Sequence, residues 1–118
     1  MEAKDLRIGN FANHSELGIV EVIAVGKEYI HCIFNGETFY ENIGRFSEIP
    51  LTNEWLINLG YDTDCDISEN PMHFRKDGHI IWKPSSIFYD DLYRIELKYV
   101  HQLQNLFFAL KGKELTLK

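Results

Sequence analysis

Cysteine is scarce in this chain, with two in 118 residues, and proline occurs only three times. No stretch approaches the ~20 consecutive apolar residues of a membrane-spanning helix. Two thiols, Cys32 and Cys65, permit one disulfide at most, which excludes a disulfide-stapled scaffold. They read as free thiols of a reducing compartment, with Cys32 in a strand as buried packing. The opening residues, Met1-Glu2-Ala3-Lys4-Asp5, are charged and lack the apolar core of a signal peptide, so the expected location is the cytoplasm. Basic residues are also short: 12 Lys and Arg against 18 Asp and Glu leave a net charge of −6. Phosphate binding needs a basic footprint, which argues against nucleic acid as the main partner.

Sequence signatures of catalysis are missing too. There is no G-x-S-x-G elbow, no G-x-G-x-x-G and no P-loop. Neither thiol is followed by a Gly-rich elbow or a helix start that would activate it. Asp62-Thr63-Asp64-Cys65-Asp66 alternates carboxylates as a calcium loop does, but Ile67 stands where the tight turn needs Gly and His73 where the bidentate Glu belongs. The run reads as a solvated acidic loop. His31 and Cys32 are adjacent, so in a strand they point to opposite faces and cannot share a metal. Cys65, His73 and His79 lack the paired short spacing of a structural zinc site, and the hairpin histidines read as partly exposed. Hence no catalytic residue, metal or cofactor is expected.

What is present is ordinary globular composition, 45% hydrophobic and 25% charged, in a length typical of one domain with its own core. The chain is read as a single domain, 1–118, with a β-rich half over 1–50 and an α+β half over 51–118 packed on it. The first half alternates short apolar runs with turn residues. Strands are expected at Leu6–Ile8, Gly18–Val25, Tyr29–Phe34, Glu37–Ile43 and Phe46–Ile49, with Asn35-Gly36 as a tight hairpin turn. Five short strands suggest a small SH3-like β-barrel or a β-meander.

Pro50-Leu51-Thr52-Asn53-Glu54-Trp55-Leu56 spells a helix start. Thr52 is the N-cap, Glu54 suits the positive end of the dipole, and Gly60 sits where a left-handed C-cap belongs. Met72–Lys76 and His79–Lys83 flank Asp77-Gly78 as a second hairpin. Tyr93–Leu97 reads as a further strand, and Glu114–Leu117 as a short terminal one. Between them runs a helix ending at Gly112. At about 100° per residue, Tyr99, Leu103, Leu106, Phe107 and Leu110 fall within roughly a 100° arc that reads as its core face. No Ser, Thr, Asp or Asn stands at its start as a cap.

Two surfaces are candidates for binding. Tyr29 with His31, and Tyr40 with Thr38 and Asn42, occupy single faces of the two hairpin strands, so Tyr29 and Tyr40 could line a peptide groove. On the C-terminal helix, His101, Gln104, Asn105 and Phe108 are spaced i, i+3, i+4, i+7, and no residue from 99 to 110 is charged. That back stripe is either covered by the same chain or offered to a partner or second copy, with Phe108 as its anchor.

Leu6-Arg7-Ile8-Gly9-Asn10, Pro50-Leu51-Thr52 with Glu54-Trp55-Leu56, and Tyr99-Val100-His101-Gln102-Leu103-Gln104-Asn105-Leu106 with Gly112 span nearly the whole chain. Together they resemble a family of small uncharacterised proteins encoded by Bacteroidetes and by phages and mobile elements that infect them. The resemblance implies a phage- or prophage-associated accessory role and carries no activity, cofactor or catalytic residue with it. The resulting expectation is a small, cytoplasmic α+β protein acting as a non-enzymatic interaction module, its partner another protein or itself. The alternative is a nucleic-acid-associated accessory protein that uses the barrel aromatics as a stacking platform, which requires Lys27, Arg45, Arg75, Lys76 and Lys83 to gather on one face.

Overall fold

Two Asx-Gly turns organise the strands. Asn35 and Gly36 have φ of 52° and 80°, and Asp77 and Gly78 have 49° and 82°. Positive φ at both central residues is the type I′ geometry whose twist matches that of the strands it joins. A computed structural model describes residues 1–117 and divides between Ile49 and Pro50 into two compact units.

In the first unit, β1 (Phe11–His14), β2 (Gly18–Val25), β3 (Tyr29–Phe34) and β4 (Glu37–Asn42) form an antiparallel meander, and β5 (Phe46–Ser47) returns to pair with β1. The order β4-β3-β2-β1-β5 is an open sheet. β5 contributes two residues and adds to β1 rather than reaching β4, so no ladder closes the sheet into an SH3-like barrel. The alternation of β2 and β3 puts Val20, Val22, Ile30 and Cys32 on a buried face, joined by Leu6, Ala12 and Phe46.

Leu6–Ile8 is not a strand. A 3-10 turn at Ala3–Asp5 precedes it, and the Arg7 N–H donates to Asn10 Oδ1 at 2.6 Å while the Asn10 N–H donates to the Arg7 carbonyl. The chain is thereby bent at Gly9, and Leu6 enters the core as a plug instead of joining a ladder. The first strand begins at Phe11.

The second unit holds α1 (Asn53–Asn58) and α2 (Val100–Lys111) with a second antiparallel meander. Its strands are β6 (Asp62–Thr63), β7 (His73–Lys76), β8 (His79–Trp82), β9 (Phe88–Asp90) and β10 (Glu96–Leu97), in the order β10-β9-β8-β7-β6. The strand expected at Tyr93–Leu97 shrinks to β10, because residues 91–95 form the loop that joins it to β9. Glu114–Leu117 pairs with no strand among the described residues, although Leu115 is buried.

α1 starts as its sequence spells, with Thr52 Oγ1 accepting the Trp55 N–H at 3.2 Å. It ends in a Schellman motif: the Tyr61 N–H reaches the Leu56 carbonyl at 2.9 Å and the Gly60 N–H the Ile57 carbonyl at 3.0 Å, with Gly60 at φ 97°. That exit turns the next residue, Tyr61, into the interior.

α2 solves its capping problem from inside. Gln102, at the third helical position, reaches back so that its Oε1 accepts the N–H groups of Lys98 (2.8 Å) and Tyr99 (3.1 Å). This is the reciprocal half of a capping box. Gly112 at φ 71° closes the other end, its N–H on the Phe108 carbonyl. The buried stripe is Val100, Leu103, Gln104 and Phe107, with His101 at its border. The core face is therefore rotated by about 70° from the Tyr99–Leu110 arc; Leu106 is half-buried and Leu110 exposed.

Gly60→Ala tests the delivery of Tyr61. A Cβ at Gly60 forces an L-residue into the left-handed region and meets Lys76 Nζ at 2.6 Å. The expected loss is about 1–2 kcal/mol in denaturant unfolding; unchanged stability would show that the motif does not constrain the fold.

Candidate functional site

The β3–β4 register brings the first pair of predicted residues onto one face. Tyr29 faces Asn42, His31 faces Tyr40 and Ile33 faces Thr38, so Tyr29 and Tyr40 are diagonal neighbours. The His31 and Tyr40 rings stack with centroids 4.1 Å apart and planes 18° apart. Tyr40 is 71% exposed and Tyr29 56%, on the outermost hairpin of the sheet. No Lys or Arg occurs from Glu28 to Gly44, and Glu28, Glu37 and Glu41 do. Beneath this face, Cys32 is wholly buried, and burial raises its thiol to about 11, with the Glu41 carboxylate adding to the shift.

The back stripe of α2 divides. His101 and Gln104 are buried and offer a partner no surface, because the helix is rotated toward them. Asn105 is half-buried, and Phe108 is 40% exposed. Of the stripe, only the Asn105–Phe108 end reaches solvent.

His14 has a structural role in the first unit. It is buried, edge-on to Phe39 and Phe46. Its Nδ1 accepts the N–H groups of Glu16 and Leu17 at 3.2 Å, so Nε2 carries the proton and donates to Glu41 at 3.3 Å. In the acidic loop, Asp64 is ion-paired with Arg75 at 2.6 Å, and Asp66 Oδ1 accepts both the Ser68 N–H and its hydroxyl. Both carboxyls are held below the usual range by those bonds. Among the described residues, no three His, Cys, Asp or Glu side chains gather to hold a metal ion.

The most unusual polar cluster of the second unit joins residues that the sequence pattern does not single out. Of the two hairpin histidines expected to be partly exposed, His73 is half-buried and His79 is buried. Ile81 faces Asp90 in the β8–β9 register, so His79, two residues before Ile81, shares the buried sheet face with Asp90. His79 Nε2 lies 2.7 Å from Asp90 Oδ1, and His79 Nδ1 lies 2.7 Å from the Tyr61 hydroxyl. Phe107 of α2 packs its ring edge-on to both Tyr61 and His79. Burial, and then the carboxylates of Asp90 and Asp77, hold the Tyr61 hydroxyl protonated well above the ordinary phenol range. The Asp90 carboxylate can only accept, so Nε2–H of the neutral imidazole donates to it, and the bare Nδ1 accepts from the Tyr61 hydroxyl. Asp90 Oδ2 accepts the Tyr93 N–H at 2.8 Å. Every polar atom of the chain Tyr61–His79–Asp90 then has a partner, the condition under which a buried carboxylate is tolerated. The signal available in the sequence is the alternation itself: His79 and Asp90 sit at core-phase positions of strands otherwise filled by Phe74, Ile81 and Phe88.

Asp90 also builds the loop beyond it. Its carbonyl accepts the Arg94 N–H and its N–H donates to the Ile95 carbonyl, both at 2.8 Å, with Arg94 left-handed at φ 59°. The Arg94 guanidinium lies over the Trp82 ring, 4.7 Å from its centroid. Against this loop is a cavity of about 410 Å³, whose wall includes His79, Asp90, Asp91, Leu92, Arg94 and Lys111.

Compared with protein-family models, with curated proteins and with solved structures, the chain matches none. Among the described residues, no helix is long and apolar enough to cross a membrane.

Because Tyr61 keeps its proton in the folded state, its contribution to stability is complete below the free-tyrosine value near 10 and is lost as pH rises past it. Tyrosinate absorbance at 295 nm should therefore show a component that appears only with unfolding and is missing in Tyr61→Phe. Ionisation of Tyr61 in the folded protein would contradict the hydrogen-bond assignment.

Proposed function

We propose that this protein is a non-enzymatic interaction module that captures an extended, basic protein segment along β4, against Tyr29 and Tyr40. The observation that carries the reading is the register that aligns two exposed tyrosines and a stacked histidine on one face of the outermost hairpin. An outermost strand can take up a further strand through its main chain, and side-chain contacts then supply specificity. Exposed tyrosine faces attract Lys and Arg. The hairpin that carries them has three glutamates and no cation, which favours a basic partner at long range, although Glu37 and Glu41 alternate onto the opposite sheet face and Glu41 holds His14.

The same charges weigh against the nucleic-acid alternative. Stacking platforms for single strands set their aromatics in a positive groove, and this hairpin has no cation. Of the five residues that alternative needs, Arg45 is bonded to Glu16 and Arg75 to Asp64. The reading as a non-enzyme is supported in the second unit by the commitment of Tyr61, His79 and Asp90 to one another or to the Tyr93 N–H, so that none of these three stands free as a base. With the motif resemblance, the module is an accessory protein of a phage or mobile element working in the cytoplasm.

The test is fluorescence anisotropy with an extended Lys-rich decapeptide and, in parallel, a single-stranded DNA decamer. The peptide should bind, and Tyr40→Ala should weaken it roughly tenfold without changing the melting temperature, since truncating an interface tyrosine typically removes over 1 kcal/mol. Equal binding by Tyr40→Ala, or preferential binding of the DNA with a steep salt dependence, would overturn the reading.

A further inference from the structure

The cavity beside Asp90 lies within the second unit, between the β7–β8 turn, the β9–β10 loop and the last turn of α2. At about 410 Å³ it falls in the size range of small-molecule sites, roughly 300–1,000 Å³. Four properties of its wall define what it would accept.

First, it holds two cations without ion-pair partners. Neither Arg94 nor Lys111 makes an ion pair among the described residues, a property shared with Lys27, Lys76 and Lys83 but combined here in one cavity wall. Second, one of these cations is held in place. Arg94 adopts the left-handed conformation rare for a residue with a side chain, within a loop closed by three hydrogen bonds to Asp90, and its guanidinium rests on Trp82. Backbone strain of this kind persists only where the surroundings over-determine it, and it clusters at ligand clamps. Third, apolar side chains share the wall: Leu92 is 75% exposed, and Leu110 stands one residue before Lys111 on α2. Fourth, the carboxylates nearby are unequal. Asp90 is committed to His79 and to the Tyr93 N–H, and Asp77, whose charge Lys111 also feels, is ion-paired with Lys113. Asp91 is left as the one uncommitted carboxylate of the wall.

We propose that this cavity is a binding site for a small organic monoanion, a carboxylate on an apolar body. The ligand carboxylate pairs with Arg94, whose planar fork suits it, and with Lys111. Its body lies against Leu92 and Leu110. Asp91 offsets part of the positive charge and so favours a single negative charge over a phosphate dianion. Asp90 is a positioning residue here: it fixes the loop that presents Arg94 and does not itself meet the ligand.

Isothermal titration calorimetry of the full chain with hexanoate, 1-hexanol and inorganic phosphate tests this. Hexanoate should bind saturably, and hexanol and phosphate should bind at least tenfold more weakly. Arg94→Ala and Lys111→Ala should each weaken hexanoate roughly tenfold or more, the loss expected for one charge-assisted hydrogen bond. Both side chains are exposed, so circular dichroism should show the variants folded. Absence of saturable heat with hexanoate, hexanol binding as well as hexanoate, or wild-type affinity in both variants would each overturn the proposal. None of these outcomes bears on peptide capture at Tyr40.

Discussion

A carboxylate with no solvent exposure, Asp90, sits on the core face of the second sheet, and the second unit is arranged around satisfying it. An unpaired carboxylate there would be prohibitive, and breaking a buried pair by removing one partner costs about 3–5 kcal/mol. His79 supplies one donor, the Tyr93 N–H another, and Tyr61 fixes which nitrogen of His79 carries the proton. Each contribution has its own structural source. The Schellman turn after α1 presents Tyr61, the type I′ turn at Asp77-Gly78 sets the phase of His79, and the β8–β9 register places Asp90 beside it. Phe107 of α2 closes over the rings of Tyr61 and His79. The hydrogen bonds of Asp90 then continue outward into the loop that carries Arg94, linking the satisfied interior to the cavity wall.

The first unit uses the same chemistry at lower stakes. His14 is buried among phenylalanines and fixed by two backbone donors, but its partner Glu41 is only half-buried on the outermost strand. What distinguishes this unit is its outward face, where Tyr29, His31 and Tyr40 gather without a cation. An interior needs aromatic bulk, and that need explains Phe39 and Phe46; it does not explain tyrosines left mostly in solvent. The two units thus present different chemistries, an aromatic face without a cation and a cavity with a cationic rim.

Features set by neighbouring residues are legible in the amino-acid sequence. Asn35-Gly36, Asp77-Gly78, the Thr52 cap and Gly60 are local devices, and their conformations follow from residue type. Features set by distant partners are not. Leu6–Ile8 has strand-like alternation, yet the Asn10 side chain captures the Arg7 N–H and bends the chain. β9 and β10 are three and two residues long, too short to show a period, and exist only because each has a partner to pair with. The core face of α2 departs from its wheel because Gln104 counts as polar there but is wholly buried in the fold. The same bias hides the cluster at residues 61, 79 and 90. A histidine and an aspartate read as surface until the topology brings them within hydrogen-bond reach of each other.

Tyr61, His79 and Asp90 form one directed hydrogen-bond chain in the interior, and the second unit depends on it. Long-range ¹H–¹⁵N correlation of the His79 imidazole in the native protein at neutral pH measures its direction. The expected result is the neutral tautomer with the proton on Nε2 and a bare Nδ1, unchanged in orientation until the protein unfolds. A proton on Nδ1, with Nε2 bare toward Asp90, would contradict it.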